Sequence, residues 1–259
     1  MSALFCSPKG GYASSIEKAV LITGARAPVA LHMSRLLANA GVRVVLADHL
    51  RWPLASASRL HDGYHRVPSF VFDHAGARAA MQDVLAVEKI DLVIPTCEET
   101  LHLAYFWRQN EPKTRLFAPD FETLVRVHNK HTFMALCAEV GMTVPDTWLL
   151  NGPGDVAATR KDAGNLVYKP VWSRFGASVL ITPKPEALSR LQPTETSPWI
   201  AQQFVAGHEV SVYAVAKRGR IVALSAYRAG VRTVGGAAVA FTLVEADLVR
   251  PVVTAIVQH

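Results

Sequence analysis

Between Lys18 and Ala118, short apolar runs alternate with longer stretches in which apolar residues recur every three to four positions. AVLIT (19–23), VRVVLAD (42–48), DLVIP (91–95) and TRLFA (114–118) have the length and composition of buried strands. PVALHMSRLLANAG and GARAAMQDVLAVEK, between them, carry the helical period. Strands alternating with helices predict a parallel sheet wrapped by helices.

The pattern changes after Pro119. DFETLVRVHNKHTFMALCAEVGM is helical with a break at Val127 to Asn129, and VPDTWLL follows as a strand. LVYKPVWSRFGASV (166–179) reads as a strand, a Lys-Pro pair and a loop, with a further strand, SVLI, beginning near Ser178. WIAQQFV, HEVSVYAVA and RIVALSAY are strand candidates, and KRGR (217–220) joins the last two as an antiparallel hairpin. VEADLVRPVVTAIVQH closes the sequence in a helical pattern interrupted by Pro251. The second part is therefore α+β, where the first is α/β.

A chain of 259 residues that is half hydrophobic can bury a core large enough for two domains. Cys6, Cys97 and Cys137 are the three cysteines, widely spaced and without a CxxC pair, which argues against a disulfide framework or zinc ribbon and fits a reducing cytoplasm. No run approaches bilayer length, so no membrane partner is expected. The formal charge of +6 favours anionic ligands. Its basic residues are scattered, and the densest cluster sits at a turn, which points to a small phosphorylated ligand and away from nucleic acid.

The turn TGARAPVA after the first strand has one glycine where a dinucleotide fingerprint needs three. A nicotinamide-dependent oxidoreductase would use Gly24 and Asp48; the plainer reading is that Gly24 turns the chain and Asp48 faces solvent. In the second part, Lys130 opens a helix, Lys169 ends a strand before Pro170, and Glu209 begins a strand after QQFVAGH. Glu209, Ser211 and Tyr213 would share one face of that strand. No Ser/His/Asp arrangement and no histidine spacing suited to a metal stands out.

NKHTF (129–133), GMTVPDTW (141–148), VYKP (167–170) with its loop and QQFVAGHEVSV (202–212) together resemble the ATP-grasp superfamily, whose members include biotin carboxylase, D-alanine:D-alanine ligase and, most similar in kind, the carbamoyl phosphate synthetase large subunit. The resemblance implies an N-terminal α/β domain (1–118) with a parallel sheet of the type preceding an ATP-grasp module. It also implies linker helices and a small lid subdomain (119–206), then an incomplete C-terminal subdomain (207–259). Lys130 and Lys169 would reach ATP phosphates. The segment Gln203, Phe204 and Val205 would hydrogen-bond adenine through its backbone, Gln202 would accept from the adenine amino group, and Glu209 would hold the ribose hydroxyls. Ser173 and Arg174, beside the single flexible point Gly176, would replace missing backbone contacts to phosphate. Arg228 and Arg232, at the loop GVRTVGGAA (230–238), would grip a substrate carboxylate.

The family's Mg²⁺-binding Glu-x-Asn pair has no counterpart in the sequence. The metal ligands are therefore expected beyond residue 259, in a longer chain of which this is the larger part. The implied function is an ATP-dependent ligase that activates a carboxylate as an acyl phosphate for attack by an amine or other nucleophile. Small-molecule carboxylate and amine substrates are its expected partners, with room for a homodimer. A non-catalytic nucleotide-binding module is the alternative.

Overall fold

The computed structural model describes residues 19–173, 178–232 and 238–259. It divides into two compact units, Met1–Leu124 and Val125–His259.

In the first unit, β1 (Ala19–Thr23), α1 (Pro28–Asn39), β2 (Arg43–Asp48), β3 (Gly63–Arg66), α2 (His74–Val87), β4 (Leu92–Ile94), α3 (Glu99–Asn110) and β5 (Arg115–Leu116) follow one another. The strands form one parallel sheet in the order β3-β2-β1-β4-β5. Strand alternation divides its core in two. Leu21, Val45 and Val93 pack with Met81, Val84, Leu103 and Phe106 of α2 and α3, while Val20, Ile22, Val44 and Leu46 pack with Ala30 of α1. The expected parallel sheet is present, with two additions that the hydrophobic pattern did not reveal. The strand GYHR, at the sheet edge, has almost no apolar content, and α3 begins with the polar Glu99 and Thr100.

The helical run after Pro119 breaks as its pattern implied. α4 (Phe121–His128) ends, and Asn129 caps α5 (Lys130–Glu139) by accepting from the backbone N–H of His131 and Thr132 at 2.9 and 3.1 Å. β6 (Thr147–Leu150) and α6 (Pro153–Thr159) precede β7 (Leu166–Pro170), β8 (Leu180–Ile181) and β9 (Trp199–Gln203). These four strands form a sheet in the order β6-β9-β7-β8, antiparallel at each pairing. One face of it, bearing Leu150, Leu166, Tyr168 and Ala201, is covered by Val156, Ala163, Leu188 and Leu191.

The last sheet has the order β10-β11-β12, from β10 (Ser211–Lys217), β11 (Arg220–Arg232) and β12 (Ala238–Val244). The hairpin at KRGR turns through Arg218 (φ 51°) and Gly219 (φ 72°), the positive pair that a two-residue turn between right-twisted strands requires. β11 continues through residues that the sequence pattern assigns to a glycine-bearing loop, because it has β12 as a second antiparallel partner. α7 (Arg250–Gln258) packs against β11. Its apolar side is thus partly covered: Val253 and Ile256 are half-buried. Among the described residues of this sheet and helix only Ala226 is buried.

Candidate functional site

Alternation on β6, β9 and β7 sets the face opposite the buried core of their sheet. Thr147 lies directly across from Gln202, and Gln202 is paired with Val167, two residues from Lys169. Thr147, Gln202 and Lys169 therefore form a row on one face. The ammonium of Lys169 donates to Gln202 Oε1 at 2.7 Å, and Gln202 Nε2 donates to Thr147 Oγ1 at 2.8 Å. Gln202 itself is only 9% exposed.

Lys130, the first residue of α5, donates from Nζ to the carbonyls of Val171 at 3.2 Å and Ser173 at 2.7 Å, in the segment that follows β7. The Ser173 hydroxyl donates to the Pro170 carbonyl at 3.1 Å. Burial pushes the Lys169 ammonium below its ordinary pKa, and burial together with the neighbouring Lys169 charge does the same to Lys130. Two ammonium groups in one partly desolvated place raise each other's cost, and an anion bound between them would lower it. Such a pair suits the oxygens of a phosphate chain.

The backbone at 203–205 is partly committed. The Gln203 amide donates to the Asp146 carbonyl at 2.9 Å and that of Phe204 to the Asn165 carbonyl at 2.8 Å. Of the three amides in the segment, the hydrogen bonds among the described residues leave Val205's for a ligand. Phe204 and Val205 are 45% and 66% exposed, so neither side chain belongs to the core. The sequence reading gives the Gln202 oxygen to the adenine amino group; in the structure that oxygen accepts from Lys169, because strand register puts the two on one face.

Glu209 precedes β10 instead of beginning it, and is exposed. Ser211 and Tyr213 share a face of that strand. Arg228 is exposed on β11, opposite Thr242, and so stands on a different sheet from Lys169. Arg232 ends β11. Arg174 and Gly176 lie outside the described residues. The structure thus gathers Lys130, Lys169, Ser173 and Gln202, with Gln203, Phe204 and Val205 continuing the strand that bears Gln202. Thr147 was missed from the sequence, although its place in VPDTWLL, on a strand that could pair with WIAQQFV, was the available signal.

The nicotinamide alternative fails on its own residues. Asp48 does not face solvent: it is 3% exposed, and its carboxylate accepts from the Arg26 amide at 2.9 Å, Arg26 Nη1 at 3.1 Å and the Leu50 amide at 3.1 Å. Arg26 also pairs with Glu98 at 2.9 Å and Glu99 at 3.3 Å. Burial opposes the guanidinium charge, but Cys97, Glu99 and Asp48 outweigh it and raise its pKa. Gly24, at φ 69°, makes room for this cluster, since a Cβ there would lie 2.6 Å from Thr96 Oγ1 and 2.7 Å from Glu99 Oε1. Neither residue is left for a pyrophosphate or a ribose.

Among the described residues, one group of side chains has the proximity of metal ligands: Cys97, Glu98 and Glu99 in the first unit. It does not fit Mg²⁺, which takes oxygen ligands, because a thiol is part of the set and Arg26 already pairs with both carboxylates. The described residues of the second unit present no such group. No helix among the described residues is long and apolar enough to cross a membrane.

No protein-family model matches the sequence, and no curated protein sequence does. Solved structures do match. An L-amino acid ligase from Bacillus licheniformis superposes with a TM-score of 0.69 at 16% identity, over 94% of this chain and 60% of the ligase. The biotin carboxylase domain of 2-oxoglutarate carboxylase from Hydrogenobacter thermophilus, solved with MgADP, ADP and bicarbonate, gives 0.71 at 11% identity, over 95% of this chain and 58% of that one. N5-carboxyaminoimidazole ribonucleotide synthetase from Thermus thermophilus gives 0.56 at 20% identity, over 81% and 54%. The chain has the ATP-grasp fold, and it spans little more than half the length of these proteins.

Proposed function

We propose that the second unit binds an adenine nucleotide, as the nucleotide-holding part of an ATP-dependent ligase that joins a carboxylate to an amine or other nucleophile. The observation that carries this reading is the pair of partly buried ammonium groups, Lys130 and Lys169, held on one sheet face and on the helix that opens at Asn129. Both would contact phosphate oxygens, with Ser173 and, in the segment outside the described residues, Arg174 and Gly176 completing the contacts. The Val205 amide would donate to an adenine ring nitrogen and a carbonyl of the same segment would accept from the adenine amino group. Glu209 would take the ribose hydroxyls, and Arg228 and Arg232 a substrate carboxylate.

In the full reaction a carboxylate oxygen attacks the γ-phosphorus as its bond to the β,γ-bridging oxygen breaks, releasing ADP. The nucleophile then attacks the acyl carbon and inorganic phosphate leaves. The lysines contribute position and charge to the first step, where negative charge spreads over the transferred group. Mg²⁺ accompanies ADP in the carboxylase domain that this chain resembles. The described residues of the second unit offer it no group of carboxylates. A place within the carbamoyl phosphate synthetase branch, a cytoplasmic location and a homodimer stay expectations of the sequence.

Calorimetric titration with ATP, ADP and GTP tests the reading. Adenine nucleotides should bind more tightly than GTP by about 1–3 kcal/mol, since guanine reverses donor and acceptor at the strand edge and leaves polar groups unpaired. Equal affinities would remove the adenine assignment. A second reading, a nucleotide-binding module without catalysis, is favoured by that same lack of a carboxylate group. Substrate-dependent ADP release over a panel of carboxylates and amines, by residues 1–259 or by a longer chain that contains them, upholds the ligase reading, and nucleotide binding without turnover in both upholds the second.

A further inference from the structure

Three residues on the sheet face and Pro145, just before β6, form a hydrogen-bond chain whose direction is fixed by its end. The Pro145 carbonyl can only accept, so the Thr147 hydroxyl, 2.9 Å away, must donate to it. The Thr147 oxygen is then left as an acceptor, and the end of the Gln202 amide lying 2.8 Å from it must be the nitrogen. That leaves the amide oxygen facing Lys169 Nζ at 2.7 Å. Each assignment agrees with the next, and a lysine ammonium, which can only donate, requires the same orientation from the other side.

We propose that Thr147 is a positioning residue for Lys169: by deciding which end of the Gln202 amide faces the ammonium, it keeps that lysine charged and aimed across the sheet. An amide has one accepting end and one donating end. With the Thr147 hydroxyl gone, the Gln202 nitrogen loses its acceptor, and once Lys169 gives up its proton the amide can turn and donate an N–H to the neutral amine, which favours the uncharged lysine. A carboxylate at position 202 would need no such control, because both of its oxygens accept. It would also cancel one positive charge. The oriented amide holds Lys169 without neutralising it, so the Lys130–Lys169 pair keeps both charges for a polyphosphate. Among the described residues, the charged group coupled to Lys169 from the neighbouring elements is Lys130 on α5; β6 and β9 set the neutral Thr147 and Gln202 beside it.

The consequence for ligand affinity rests on the nucleotide reading above, whereas the positioning itself does not, and the experiment keeps the two apart. The ligand-free protein is titrated by NMR of its lysine side chains, with the Lys169 signal identified by its loss in Lys169→Arg. Thr147→Val should lower the pH at which Lys169 loses its proton, and Thr147→Ser, which keeps the hydroxyl, should leave it at the wild-type value. Gln202→Leu, with Thr147 intact, should lower it as Thr147→Val does, which provides the measurement should the valine variant fail to fold. ATP binding, followed by calorimetry, should weaken about tenfold in Thr147→Val and recover in Thr147→Ser. In a Gln202→Glu background, Thr147→Val should alter neither readout. A Lys169 titration unmoved by both Thr147→Val and Gln202→Leu, or moved as far by serine as by valine, overturns the proposal. A titration that shifts as expected in a protein that binds no ATP upholds the positioning role and overturns the nucleotide reading instead.

Discussion

The ammonium of Lys130 donates to the backbone carbonyl of Ser173 at 2.7 Å, so a residue at the start of a helix fastens the segment that leaves β7. The Lys169 charge also helps to push this ammonium below its ordinary pKa, and repulsion between two like charges acts on both of them. Replacing Lys130 with methionine should therefore do two opposite things. ATP affinity should fall by about 10- to 100-fold, the loss of one charge-assisted contact. The Lys169 titration should move upward toward its ordinary range, because its cationic neighbour is gone. NMR and calorimetry on one sample check both. An unmoved Lys169 would mean that the two lysines do not share a site.

The lowered lysine pKa values also set the sign of a pH dependence. Folded Lys130 and Lys169 give up their protons below 10.5, the value they have when unperturbed, while the unfolded chain still holds them. Where the unfolded state binds more protons, stability rises with pH. Between the lowered values and about pH 10.5 the wild type should therefore gain stability relative to a Lys130→Met/Lys169→Met double variant. Nucleotide affinity should run the other way and fall over that interval, because a polyphosphate binds the charged form. Urea midpoints and calorimetric titrations across the alkaline range provide the check. A wild type that tracks the double variant would show the lysines to be as solvated in the folded protein as in the unfolded one.

Gly24 and Asp48 belong to an ion-pair cluster at the strand ends of the first unit. Gly24→Ala should destabilise the protein by about 1–3 kcal/mol, since the added Cβ requires both a positive φ and displacement of Thr96 and Glu99. Asp48→Asn should also destabilise it, by about 1–3 kcal/mol, less than a fully isolated buried pair would lose because Arg26 keeps Glu98 and Glu99. Neither substitution should alter NADH fluorescence, which should show no binding to the wild type. Denaturant midpoints measure the first two effects. Saturable NADH binding abolished by Asp48→Asn would restore the dinucleotide assignment.

How far the sequence carried the fold depended on what held each element. β1, β2 and β4 were legible because they are buried on both faces and read as unbroken apolar runs. GYHR was not, since an edge strand with half-exposed polar residues has no such signature. β12 was missed although AVAFTLV is itself a nearly unbroken apolar run; it follows a glycine-bearing stretch, and its first residue falls in the segment that the sequence pattern assigns to a loop. At the site, the resemblance to ATP-grasp proteins singled out Lys130 and Lys169 separately as candidates. Their proximity, and the use of Gln202 and Thr147 to orient one of them, depend on the register of three strands that are far apart in sequence.

The sheet of β10, β11 and β12 leads to the last expectation. The pairings Ser211 with Tyr227 and Tyr227 with Leu243 put Tyr213, Tyr227, Phe241 and Leu243 on one face. Tyr227 and Phe241 pack edge to face with ring centroids 5.2 Å apart, yet Phe241 is 58% and Leu243 76% exposed. α7 packs against β11 and is partly covered, whereas this face of the sheet is exposed. A contiguous aromatic and aliphatic face is an association surface in water, because burying it against a second copy removes apolar area at about 25 cal/mol per Å². Residues 1–259 should therefore self-associate with rising concentration, and Leu243→Lys or Phe241→Ser should shift the population toward monomer. Leu243 is the more solvent-facing, so Leu243→Lys should leave the melting temperature near the wild-type value, whereas Phe241→Ser also loses the ring contact with Tyr227 and should lower it. Sedimentation velocity over a concentration series would decide it. A wild type that stays monomeric throughout, or variants that associate as it does, would show that this face is not what brings copies together.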